Sequence, residues 1–199
     1  GTDGDTRMVI GILDVQGAVR EHRQQLEGLG VDVVLVKQAS DLEKLDGLVL
    51  PGGESTAMRR LIERYELLEP LREKATTLPM FGTCAGMILL ATAVEAGQSH
   101  LNAISMTVRR NAFGRQIDSF EGLLPVEGIE ESIEAVFIRA PLILSVGEGT
   151  RVIAKVEDQI VAVETSLHLA CSFHPELTED DRLHQYFLQK IKQRQSIRS

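Results

Sequence analysis

A chain of 199 residues with 43% apolar and 25% charged composition is the size of one soluble globular domain. Its formal net charge of -8 argues against the broad basic face that nucleic acid requires. The densest apolar stretch, Met87-Ile-Leu-Leu-Ala-Thr-Ala-Val94, is far shorter than the roughly 20 residues a membrane span needs, so neither nucleic acid nor membrane is expected as a partner.

Two cysteines and the lack of a basic-then-apolar leader point away from a disulfide scaffold and towards a reducing cytoplasm. Residues 1–7 are expected to be a tag remnant or extension outside a single domain spanning 8–195.

Strand-length apolar runs recur at residues 8–15, 31–36, 47–50 and 79–81, with helical patterns between several of them. The first helix is expected from about Ala18 to Leu29. Val19, Leu26 and Leu29 share its apolar face, opposite Arg20, Arg23 and Glu27, and Gly30 can cap its end. A second helical stretch follows Ser55, and Pro70 is expected to divide it.

Beyond about residue 105 the strands come closer together, at 106–108, 135–138, 152–156, 160–163 and 167–173. An amphipathic helix over 181–192, with Leu183, Phe187, Leu188 and Ile191 on one face, closes the chain. The expected fold is therefore a three-layer α/β domain, its central sheet mostly parallel and its second half rich in antiparallel hairpins. Active-site loops should emerge at the carboxyl ends of the parallel strands.

Cys84 lies where a short apolar run meets a helical run, with Gly82 and Gly86 two residues to either side. A lone cysteine is most often a small buried hydrophobe. Here the context is that of a strand-turn-helix elbow, which strains the nucleophile's backbone and leaves no room for a Cβ on its neighbours. The following helix would favour the thiolate, which is the attacking species. Cys171 has no elbow and reads as a packed strand residue.

His174-Pro-Glu176 follows the last strand, and residues two apart in an extended segment face the same side. His174 can take the thiol proton while Glu176 orients the imidazole. His22, His100, His168 and His184 are less well placed, and no cluster has the spacing of metal ligands, so no metal site is expected. Pro51-Gly-Gly-Glu-Ser-Thr56 follows a strand and offers bare amides; one of these, with the amide of Ala85, suits an oxyanion.

With these residues in place, the chain resembles the class I (triad) glutamine amidotransferases, and within them the vitamin B6 branch, the glutaminase subunits of pyridoxal 5'-phosphate synthase. The resemblance covers nearly the whole chain from Met8. It is carried by Val15-Gln-Gly-Ala-Val-Arg-Glu-His22, Leu50-Pro-Gly-Gly-Glu-Ser-Thr56, Phe81-Gly-Thr-Cys-Ala-Gly-Met87 and Ala170-Cys-Ser-Phe-His-Pro-Glu-Leu177. The segments Arg110-Asn-Ala-Phe-Gly-Arg-Gln-Ile-Asp-Ser-Phe-Glu121 and Phe137-Ile-Arg-Ala-Pro141 complete it. Asp14 and Arg109 depart from the family's usual residues, as does the turn Glu164-Thr-Ser-Leu-His168.

The resemblance implies a flavodoxin-like fold and the triad Cys84, His174 and Glu176, with Gly53 and Ala85 at the oxyanion site. It implies L-glutamine contacts from Gly52, Gly53, Glu54, Arg110, Ile138 and Arg139. It further implies no cofactor, and ammonia delivered to a synthase subunit within a large hetero-oligomer that docks near Gln16. Two alternatives stay open: a cysteine peptidase on a similar fold, against which the glutamine-contact set argues, and a non-catalytic binding subunit, against which the intact triad argues.

Overall fold

The structure is a computed structural model that describes residues 7–110 and 119–198. Most of residues 1–7, and the centre of the 110–121 motif, therefore lie outside the described residues. The first half alternates strand and helix as its periodicity predicts: β1 Val9–Leu13, α1 Val19–Gly28, β2 Asp32–Val36, β3 Gly47–Leu50, α2 Ser55–Arg64, α3 Leu68–Lys74, β4 Met80–Thr83 and α4 Ala85–Leu90. The rest is mainly strand: β5 Ala91–Val94, β6 Ile104–Arg109, β7 Ser119–Leu124, β8 Ile133–Ile138, β9 Leu142–Val146, β10 Arg151–Val156, β11 Gln159–Glu164 and β12 Leu169–Cys171, closed by α5 Arg182–Arg198. Among the described residues no helix is long and apolar enough to cross a membrane.

The large sheet runs β2-β1-β3-β4-β12-β11-β9-β6-β5, with β10 attached to β11, while β7 and β8 form a separate antiparallel ribbon. The strands from β2 through β12 are parallel. Beyond β12 the pairings with β11, β9 and β6 are antiparallel, and only the edge pair β5 and β6 is parallel again.

Alternation along each strand divides the core in two. Leu48 and Leu50 of β3 and Met80 of β4 face α2, α3 and α4 through Met58, Ile62, Leu71 and Leu89. Val49 and Phe81 face the other way, onto Leu26 of α1 and Leu183, Phe187 and Ile191 of α5. These are the three layers expected. Each fully buried Leu, Ile or Phe contributes about 1.5–3 kcal/mol. That burial is what holds α4: six residues are too few to be helical alone, and all of them are buried.

Three expectations change. First, the break after α2 falls at Glu66, which has φ 56, and not at Pro70. The Leu67 N–H closes the helix on Ile62 O at 2.8 Å. Pro70 sits in the first turn of α3, where its missing N–H would have had no partner in any case.

Second, the apolar run 87–94 changes conformation at Ala91, whose ψ of 146 turns helix into β5. Strands β5, β7 and β9 are not among those expected from the sequence. Third, the face of α1 is built around His22 and Leu26, both fully buried, with Val19 and Leu29 only half-buried beside them.

Candidate active site

Sheet order reverses between β1 and β3, so the loops that follow them diverge and leave a crevice at the carboxyl edge. The two loops are tied across it. Ala18 N–H donates to Gly52 O at 3.1 Å, and Glu54 N–H donates to Gln16 Oε1 at 2.7 Å. Gly17, with φ +103, lies so near that a Cβ on it would stand 1.6 Å from Gly52 O.

Cys84 follows β4 directly and has φ 54 and ψ -112, a conformation that costs a side-chain-bearing residue of order 1–3 kcal/mol. The elbow is held by its own N–H, which donates to Cys171 O of the neighbouring strand at 2.9 Å, and by its carbonyl, which accepts from Met87 N–H at 3.0 Å. A Cβ on Gly82 would meet Gly86 O at 2.5 Å, and one on Gly86 would meet Leu50 O at 1.8 Å. The two glycines let the elbow pass against β3, as the sequence predicts.

His174 reaches Cys84 from β12. On one side its imidazole stands with Cys84 against Gly52, and on the other its Nδ1 donates to Glu176 Oε2 at 2.7 Å. The reason for this approach differs from the expected one. Residues 175–177 form a short 3-10 turn, and that turn, not strand alternation, swings Glu176 back onto the ring. Gln25 of α1 clamps the turn by donating to Pro175 O at 3.0 Å and Thr178 O at 2.6 Å.

Burial works against a charged His174. The hydrogen bonds to Cys84 and Glu176, and the negative charge on both, outweigh it and raise its pKa to about 10. Cys84 thus faces an imidazole that holds its proton.

Gly52 is buried against the pair: a Cβ there would meet His174 Cε1 at 2.7 Å and Cys84 Cβ at 3.3 Å. Gly53 is exposed beside Gln16, and the Ala85 N–H belongs to the first turn of α4, where helix geometry leaves donors without intrahelical partners. The Glu54 carboxylate caps α2, accepting from Thr56 N–H at 2.8 Å and Ala57 N–H at 3.2 Å, and these bonds hold its pKa below the usual range.

Arg110 donates to Thr56 Oγ1 at 2.8 Å and borders a hollow of about 280 Å³ with Arg59, Arg60 and Glu63. Ile138 and Arg139 are exposed at the end of β8, and Arg139 has φ 47. That strand is joined to the same site by His174 N–H donating to Val136 O at 2.8 Å.

The other histidines are all buried, including His100, which the sequence places in a polar loop. His100 is bonded to Arg59 at 2.9 Å, and His168 accepts from Met80 N–H at 3.1 Å and donates to Ala75 O at 2.8 Å. Burial first lowers the pKa of each to about 4, so both act as neutral packing groups. His22 differs, standing behind Glu176 with Nε2 3.5 Å from Oε1. A histidine in register with Val19, Leu26 and Leu29 on an apolar face is the signal that could have found it.

Of the residues that depart from the family pattern, Arg109 pairs with Glu95 at 2.5 Å and Asp14 with Lys37 at 3.5 Å. Glu164 is buried among Arg151, Lys190 and Tyr186.

An elbow cysteine beside a histidine-carboxylate pair, at the carboxyl edge of a parallel sheet, is the geometry of the α/β enzymes that use a cysteine nucleophile. The comparisons narrow the class. Residues 12–193 match the SNO glutamine amidotransferase family, and the chain belongs to it.

It is 66% identical over 190 residues to "Pyridoxal 5'-phosphate synthase subunit PdxT" of Exiguobacterium sibiricum, covering 96% of this chain and 99% of that one. It is 55% identical over 190 residues to the subunit of the same name from Halalkalibacterium halodurans, covering 94% and 97%. A solved structure described as a glutamine amidotransferase superposes with a TM-score of 0.86 at 44% identity, covering 92% of this chain and 98% of that one. The flavodoxin-like fold expected from the resemblance is that of the class I glutamine amidotransferases.

Proposed function

We propose that this chain is a glutaminase that hydrolyses L-glutamine to L-glutamate and ammonia through Cys84, His174 and Glu176, and supplies the ammonia for pyridoxal 5'-phosphate synthesis. The observation that carries the chemistry is the relay itself: Cys84 at φ 54, beside a His174 whose Nδ1 is held 2.7 Å from a buried carboxylate. The names of the relatives, all subunits of pyridoxal 5'-phosphate synthase, support the destination of the ammonia and a synthase subunit as partner.

In this reading the Cys84 thiolate attacks the carboxamide carbon of glutamine. The resulting oxyanion is stabilised by the amides of Gly53 and Ala85, each such donor being worth about 2.7–4 kcal/mol. His174 gives its proton to the departing nitrogen, leaving a thioester on Cys84, and then deprotonates the water that releases glutamate. Glu176 holds the ring tautomer throughout.

Gly52, Gly53, Glu54, Arg110, Ile138 and Arg139 contact the substrate. An arginine fork suits its carboxylate, while Glu54, whose carboxylate oxygens bind α2, contributes mainly by shaping the turn. The chain works as a single domain over 8–195 in the cytoplasm, without a cofactor, docked on the synthase in a large hetero-oligomer.

The test is glutamate release from glutamine, with and without an added synthase subunit, for the chain and its Cys84→Ala variant. Stimulation by the partner that disappears in the variant supports both reaction and nucleophile. Activity that survives Cys84→Ala overturns the mechanism.

A further inference from the structure

Behind the triad lies a second, fully buried relay that the mechanism above does not use. Glu176 presents Oε2 to His174, and its side chain is completely shielded from solvent. Its other oxygen, Oε1, has no hydrogen bond within normal limits among the described residues. A buried carboxylate oxygen left bare is costly. The group facing it is Nε2 of His22, 3.5 Å from Oε1 and 3.3 Å from Thr83 Oγ1. On its far side His22 Nδ1 lies 2.9 Å from His184 Nε2, and His184 Nδ1 has no partner among the described residues.

Only one proton sits between two neutral rings, so two arrangements exist. If His22 Nδ1 carried it, His184 would bear its own proton on Nδ1, as a buried N–H with no acceptor. His22 Nε2 would then aim a lone pair at a carboxylate. If His184 Nε2 carries it, both penalties vanish: His184 Nδ1 is merely a bare lone pair, and His22 bears its proton on Nε2, facing Glu176 and Thr83.

Burial, the neighbouring His184 and the charge on His174 all lower the pKa of His22 well below its ordinary value, and burial lowers that of His184 to about 3. Both rings are therefore neutral, and the second arrangement is the one that satisfies the site.

We propose that His22 is a positioning residue for the hydrolysis: its Nε2–H, set by donation from His184 Nε2–H to Nδ1, holds Glu176 so that Oε2 stays on His174. The proposal rests on the triad reading above and extends it by two residues. Its architecture follows from α1, which grips the base turn twice, through His22 on the carboxylate and Gln25 on the turn carbonyls. Thr83, the residue before the nucleophile, shares the same Nε2–H, so one imidazole spans the elbow and the base.

Two measurements test it. Nitrogen-15 NMR of the unsubstituted chain at neutral pH should find His22 protonated on Nε2 and not on Nδ1; a proton on Nδ1 overturns the proposal, whatever the variants do. Kinetics with the synthase subunit present should find kcat of His22→Leu down about 10- to 100-fold, with KM within about 2-fold. His22→Gln, whose amide nitrogen can reach the place of Nε2, should recover most of the loss.

A folded His22→Leu within about 2-fold of the parent, beside an inactive Cys84→Ala, would leave the triad standing and sink the role of His22. An active Cys84→Ala would sink the triad reading, while the tautomer would still report whether His22 bonds to Glu176.

Discussion

Gly86 of α4 packs so tightly on β3 that a side-chain carbon on it would stand 1.8 Å from the carbonyl oxygen of Leu50. Backbone cannot yield as a flexible side chain can, so the whole elbow would have to move. Gly86→Ala should cost at least about 3 kcal/mol in denaturant unfolding and should abolish glutamate release even where the variant stays folded. A variant with parental stability would mean that α4 is less closely docked than described.

The two thiols should differ sharply in reactivity. Cys84 is 8% exposed beside a protonated His174, whereas Cys171 is fully buried, donates to Phe173 O at 3.4 Å, and has its pKa pushed up by burial and by Glu176. Mass mapping after brief iodoacetamide treatment should find the label on Cys84 at least about ten times more often. Preferential labelling of Cys171 would contradict the assignment of the nucleophile.

His174 also links stability to pH. Its folded pKa of about 10 lies above the unfolded value of about 6.5, so the folded chain binds the proton more tightly. The stability this contributes is complete below about pH 6.5 and fades as pH rises through about 10. Urea midpoints should therefore fall on the alkaline side, and fall less in His174→Gln; equal alkaline losses in the two proteins would refute the linkage.

Glu54 offers a way to separate a cap from a substrate contact. Glu54→Ala removes the acceptor of Thr56 and Ala57 N–H and should cost about 0.5–2 kcal/mol of stability. Glu54→Gln keeps an oxygen in place and should retain both stability and KM. A large rise in KM for the glutamine variant would show that the carboxylate charge itself meets the substrate.

Pro70 supplies a control on the fold. In the first turn of α3 it forgoes no intrahelical bond, so Pro70→Ala should change stability by less than about 1 kcal/mol, against the roughly 3 kcal/mol that a mid-helix proline involves. A gain of that larger size on substitution would place Pro70 in a helix interior.

Much of this protein is set by local patterning. Alternating strand and helix periods determined β1 to β4 and the helices between them, and Gly82 and Gly86 around Cys84 marked the elbow, because a nucleophile at positive φ needs bare neighbours wherever it occurs. His174-Pro-Glu176 marked a candidate base and its orienter from three adjacent residues. Tertiary structure decided what depends on distant partners. The 3-10 turn that brings Glu176 to His174 is clamped by Gln25, 150 residues earlier in the chain. The switch from α4 to β5 within one apolar run depends on pairing with β6. The placing of His22 between Glu176 and His184 joins residues up to 162 positions apart. A histidine's role is fixed by what its two nitrogens face, and periodicity can bury a ring without naming its partners.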